Sequence, residues 1–202
     1  MQTLGVSDST PKSEGRLKSL LWPSVRSGSD VDYLSIQGYW VCTIVAAMTL
    51  VLSLLVAGSA GNPMMVLIIV GSSTLFSLFF YVGGIGVREG SRFAAAIVFA
   101  VYALDTAIFL FTSAVSAALL IKLAFTVVLF SNLRATWIGA RWVPGTEDSA
   151  LPPRRKETLG DQFVDQWPKW IWPKIRIPYY VFAGLVALLT LSSIALRFFR
   201  LV

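Results

Sequence analysis

The chain has no histidine and a single cysteine, Cys42. Losing histidine removes the commonest metal and haem ligand and the side chain that most often serves as a general base near neutral pH. One cysteine excludes an intramolecular disulfide, and Cys42, near the start of an apolar run, reads as a small packing residue. Charge is scarce as well. Asp, Glu, Lys and Arg make up 14% of the residues, against roughly 25% in soluble domains, which argues against a soluble fold.

Enzyme signatures are also missing. A zinc-protease motif needs histidine. The glycines of Gly83-Gly84-Ile85-Gly86 and Gly86-Val87-Arg88-Glu89-Gly90 are not followed by the Gly-Lys-Ser/Thr of a phosphate loop. No Gly-x-Ser-x-Gly turn occurs. A serine/lysine dyad on Lys122 would need a serine one turn away in the third or fourth apolar run, and there is none. No enzymatic activity, metal or cofactor is expected. The net charge of +6 and pI near 9.7 do not point to nucleic acid, because the basic residues flank apolar segments, as the positive-inside bias of membrane proteins predicts.

What the chain does have is apolar length. Hydrophobic residues make up 55% of it and the mean hydropathy is +0.70. About 20 apolar residues suffice to cross a bilayer. The runs predict spans at about Gly38–Ala57, Met64–Val87, Phe93–Thr112, Val115–Leu133 and Tyr179–Leu196. The expected fold is all-α: a polytopic integral membrane protein with a bundle of about five transmembrane helices. The third and fourth, joined by the short uncharged turn Thr112–Val115, form a central hairpin.

Residues 1–37 are expected to be a cytoplasmic, largely disordered tail, Ser- and charge-rich with Pro11 and Pro23. Within it, Arg16-Leu17-Lys18-Ser19-Leu20-Leu21-Trp22 reads either as a short amphipathic turn on an anionic membrane face or as part of the tail. Because this hydrophilic stretch precedes the first apolar run, no cleavable signal is expected. Residues 38–142 are the four-helix membrane region. Residues 143–178 are a cytoplasmic linker whose second half, with Pro168, Pro173 and Pro178 breaking any long helix, lies at the membrane surface. Residues 179–202 hold the last span and a short tail.

Lys and Arg set the orientation. With a cytoplasmic N-terminus, the inner segments hold all these residues except Lys122, inside a span, and Arg197 and Arg200 at the C-terminus, and the outer loops hold none. A multi-pass protein of the cell's inner membrane is expected.

Asp105 and Lys122 are the sharpest feature. They interrupt the run Phe93–Leu133 on either side of its turn. Helical rise places Asp105 about 18 Å from the inner end and Lys122 about 11 Å from the outer end, similar depths in a core of about 30 Å. Tyr102, one turn before Asp105, and Thr126, one turn after Lys122, complete a candidate polar cluster that Ser73 and Ser77 can join. Intramembrane charges are costly and mark functional sites by default. Three readings stand: a buried pair that fixes helix packing, a proton- or ion-coupled transport site, or no pairing, with Asp105 facing a partner and Lys122 reaching for the surface.

Small residues recur at Ser53, Ala57 and Gly61, a spacing that permits close helix packing. Arg134, Trp137, Arg141, Trp142, Arg154, Arg155 and Lys156 read as headgroup contacts or as topology determinants. Trp167, Trp170 and Trp172 read as interface anchors, with a protein-contact face as the competitor. The expected role is a non-catalytic small subunit or scaffold of a larger membrane assembly, in contact with the bilayer and with partner subunits or further copies of itself. The alternative is a small transporter or channel built on Asp105 and Lys122.

Overall fold

The computed structural model describes residues 23, 25, 28–112, 116–141 and 162–201. These residues are all-helical: α1 (Gly28–Ser59), α2 (Pro63–Arg88), α3 (Arg92–Thr112), α4 (Ala117–Gly139) and α5 (Trp167–Leu201), with a short π-helical turn, Gln162–Gln166, leading into α5. α1 to α4 are each long and apolar enough to cross a membrane.

Local chemistry sets the boundaries. Asn62 accepts a hydrogen bond from the Met64 amide (2.9 Å), and Pro63, whose missing N–H costs nothing at a helix start, opens α2. α2 ends in a Schellman arrangement. The Ser91 amide donates to the Gly86 carbonyl and the Gly90 amide to the Val87 carbonyl, both at 3.0 Å, while Gly90 takes a φ of 66° that glycine adopts without strain. Ser91 then serves the next helix, since its carbonyl accepts from the Ala95 amide and its Oγ shares a 2.8 Å hydrogen bond with the Tyr180 hydroxyl of α5. One residue thus joins three elements.

The helices form a ring in which α1 packs on α2 and α4, and α3 packs on α2 and α4; α5 lies outside against α2 and touches α3. The core fills the end of the ring that holds the α2–α3 turn. Tyr39, Cys42, Ala46, Phe79, Phe80, Val98, Tyr102, Leu129, Trp172 and Tyr179 are all buried there. Glycines let the helices come this close. A Cβ on Gly84 would sit 2.7 Å from Cys42 Cβ. One on Gly86 would meet Ala94 Cβ and the Trp172 ring at 2.7 Å, and one on Gly38 would meet Val87 at 2.8 Å. Asn132, fully buried on α4, donates from its side-chain amide to the Leu34 carbonyl of α1 at 2.9 Å. At the other end, Val51, Leu55, Met65, Leu67 and Ile68 stand exposed, the apolar surface that a hydrocarbon environment accepts.

Several expectations are corrected. The first helix starts at Gly28, so residues 28–37 are helical and not part of a disordered tail. Hydropathy marks only the apolar part of a helix, and Asp30 in the first turn favours the helix N-terminus electrostatically. Likewise α4 runs on past Leu133 to Gly139. The prolines do not break the fifth helix: Pro168 sits in its first turn, where no amide hydrogen is needed, and Pro173 and Pro178 lie inside a continuous α5. Packing of Trp172 and Tyr179 against α2 holds the helix across both prolines. The Trp-rich stretch is therefore the first part of a continuous α5. Ser53 and Ala57 are buried as the small-residue spacing implies, but Gly61 lies open in the α1–α2 turn.

Candidate functional site

Asp105 and Lys122 meet. The Lys122 ammonium donates directly to Asp105 Oδ2, bridging α3 and α4. In an antiparallel pair the two side chains lean in opposite directions, and the long lysine stem closes the gap. The ammonium also lies 5.4 Å from the ring centroids of both Tyr102 and Phe109, within cation–π range. Lys122 is thus held by one carboxylate and two aromatic faces, all from α3.

Thr126 takes a place that spacing alone did not assign. Its hydroxyl lies 3.2 Å from that of Thr106, which donates in turn to the Tyr102 carbonyl at 2.9 Å. Thr106 was missed because a threonine in an apolar run is ordinary; its sequence signal is its position one turn from Tyr102. Tyr102 is buried and sets its ring edge-on to Phe80 at 5.9 Å. Ser77 does not join the cluster, since its hydroxyl donates to the Ala46 carbonyl of α1 at 2.9 Å.

Within the chain the pair is only partly buried. The Asp105 side chain is 56% exposed and that of Lys122 is 25% exposed. By helical spacing Asp105 continues the stripe of α3 that buries Ala94, Val98 and Val101. Among the described residues, what packs at its level leaves the carboxylate more than half open, and a neutral ion pair bridges the α3–α4 hairpin. Helical rise puts Asp105 about 10 Å, and Lys122 about 8 Å, from the turn end of their helices.

The remaining candidates divide. Arg134 donates to the Pro23 carbonyl at 3.3 Å, and the Trp137 ring receives the Arg92 guanidinium at 5.9 Å, so both tie elements together at the end that holds the α2–α3 turn. Arg141 is exposed. Trp142, Arg154, Arg155 and Lys156 lie outside the described residues. Trp167 and Trp170 are exposed, with rings 6.0 Å apart, and they line a shallow pocket of about 320 Å³ with Phe163 and Gln166. Lys174 lies over the Trp170 ring at 3.9 Å.

Trp172 is not an interface anchor. It is buried against Gly86 and Ala94, with Tyr179 and Tyr180 beside it. The helical period separates the two sets, because 164, 168, 172 and 179 share one face of the element and 163, 167, 170 and 174 the other.

A second polar clasp was not anticipated. Arg88, at the end of α2, donates to Asp32 of α1 at 2.6 Å and from Nε to the Val164 carbonyl at 2.9 Å. Beside it, burial holds the Glu89 carboxyl above its ordinary pKa, with Lys169 and Arg88 opposing the shift. Among the described residues no group of three or more His, Cys, Asp or Glu gathers as a metal site. No protein-family model, curated protein or solved structure matches the chain.

Proposed function

We propose that the protein is a non-catalytic, multi-pass protein of the cell's inner membrane, with its N-terminus in the cytoplasm, acting as a small subunit or scaffold of a larger membrane assembly. One observation carries this reading: an ion pair at membrane depth whose carboxylate is more than half exposed. A charge facing hydrocarbon costs about 2.5–3.5 kcal/mol on insertion scales, and a neutral pair still has unsatisfied polar edges there. Cover by another protein surface removes that cost. The exposed aromatics of α5, Trp167 and Trp170 beside Lys169 and Lys174, suit a second contact at the inner membrane surface.

Extraction from native membranes in a gentle detergent tests this. The expected result is a complex of defined stoichiometry that contains the chain, and a monomer in every detergent and in nanodiscs would overturn the reading.

A second reading, a small transporter or channel, draws on one specific observation. Asp105 lies on the inward stripe of α3, so the pair adjoins the ring interior as well as its surface. On that reading Asp105→Asn folds normally and abolishes a pH-dependent flux in proteoliposomes; unchanged flux would sink it.

A further inference from the structure

We propose that the surface covering Asp105 and Lys122 is the α3–α4 hairpin of a second copy of this chain, docked about a two-fold axis. The proposal rests on the reading above, that the pair faces a protein rather than lipid, and goes beyond it by naming the protein.

Charge complementarity carries it. The exposed group is one carboxylate and one ammonium in direct contact, bridging two adjacent helices. A partner bringing a single charge to this site would leave an unbalanced charge at membrane depth, the costly outcome. A second neutral pair leaves none. A two-fold interface presents the same patch from both sides, so that residue i meets j and j meets i. An Asp/Lys pair is self-complementary under that operation: Asp105 of one copy meets Lys122 of the other, and two pairs close into an alternating quartet. The quartet gives each carboxylate a second cation and covers the exposed part of Asp105.

The surroundings allow the approach. Ala118, one turn before Lys122 on the same side of α4, is exposed and carries only a methyl group, the kind of residue that lets membrane helices come close. The pair is already oriented. Lys122 is fixed by the Tyr102 and Phe109 rings, and the neighbouring Thr106–Thr126 hydrogen bond ties α3 to α4. Both limit the ordering cost of docking.

Cysteine cross-linking in membranes decides the matter. Cys42, the one native cysteine, is fully buried, and a Cys42→Ser background removes it. In that background Ala118→Cys is expected to give, on mild oxidation, an adduct of twice the chain mass. Leu67→Cys, an exposed position on α2, is expected to give none. Adding Asp105→Asn to Ala118→Cys should lower the dimerisation constant on the order of 10-fold, the size of one interhelical polar contact in lipid. The exchanged pair Asp105→Lys with Lys122→Asp should restore it, since exchange preserves self-complementarity.

The failures separate cleanly. An adduct between Ala118→Cys and a different protein overturns the second-copy proposal and leaves the subunit reading standing. No adduct of any kind, with the chain monomeric in nanodiscs, overturns both. Equal cross-linking at Ala118→Cys and Leu67→Cys marks random collision and overturns the proposal alone.

Discussion

At the residue scale, the Asp105–Lys122 contact has a direct consequence. Removing one partner leaves the other charge without its counter-ion in an apolar stretch of helix, whereas removing both leaves no charge there. Asp105→Asn and Lys122→Met alone are each expected to lower stability by roughly 2 kcal/mol. The double substitution should recover most of that loss, as read by thermal unfolding in a fixed detergent. Additive losses would show that the two side chains act independently. Glu89 gives a prediction of opposite character. Burial raises its pKa in the folded chain, so the folded state binds the proton more tightly than the unfolded state. Stability then falls as pH rises from the ordinary carboxylate range through the raised folded value, and stays lower above it. Glu89→Gln should therefore raise the melting temperature at pH 7, with the gain shrinking as pH falls toward the ordinary value of 4.5. A gain that does not change with pH would mean the benefit has nothing to do with ionisation.

At the element scale, α5 carries two faces that a count of tryptophans does not separate. Trp172 fills the space that Gly86 leaves open, while Trp170 stands 60% exposed. Trp172→Ala is expected to cost roughly 3–5 kcal/mol through the cavity it leaves, and Trp170→Ala to change folding stability by no more than about 0.5 kcal/mol. Chemical denaturation of the two variants, side by side, checks the assignment; equal losses would place both rings in the core. Part of this was readable beforehand. Gly83-Gly84-Ile85-Gly86 announced close backbone approach, but which helices approach depends on partners far along the chain: Cys42 from α1, Ala94 from α3 and Trp172 from α5. The prolines misled for a related reason. Proline's local cost is real, yet Pro173 and Pro178 sit in a helix held by long-range packing, which outweighs the local preference.

At the scale of the whole molecule, the charge distribution implies a fixed orientation. In a Cys42→Ser background, Ser59→Cys at the end of α1 should react with a membrane-impermeant maleimide in intact cells. Arg141→Cys, after α4, should react only once the membrane is opened. The reverse pattern would invert the topology. By itself, the sequence determined that this is a helical chain with apolar runs of membrane length, that two of them form a hairpin, and that Asp105 and Lys122 fall at similar distances from the facing ends of those two helices. Those properties follow from composition and from the rise of 1.5 Å per residue, which are local. Only the tertiary structure decided that the pair closes, that Thr106 and not Tyr102 partners Thr126, that Arg88 clasps Asp32, and that Trp172 belongs to the core. It also decided that more than half of the Asp105 side chain stays exposed. Exposure and pairing depend on how helices rotate and pack against one another, and that is set by side chains distant in sequence.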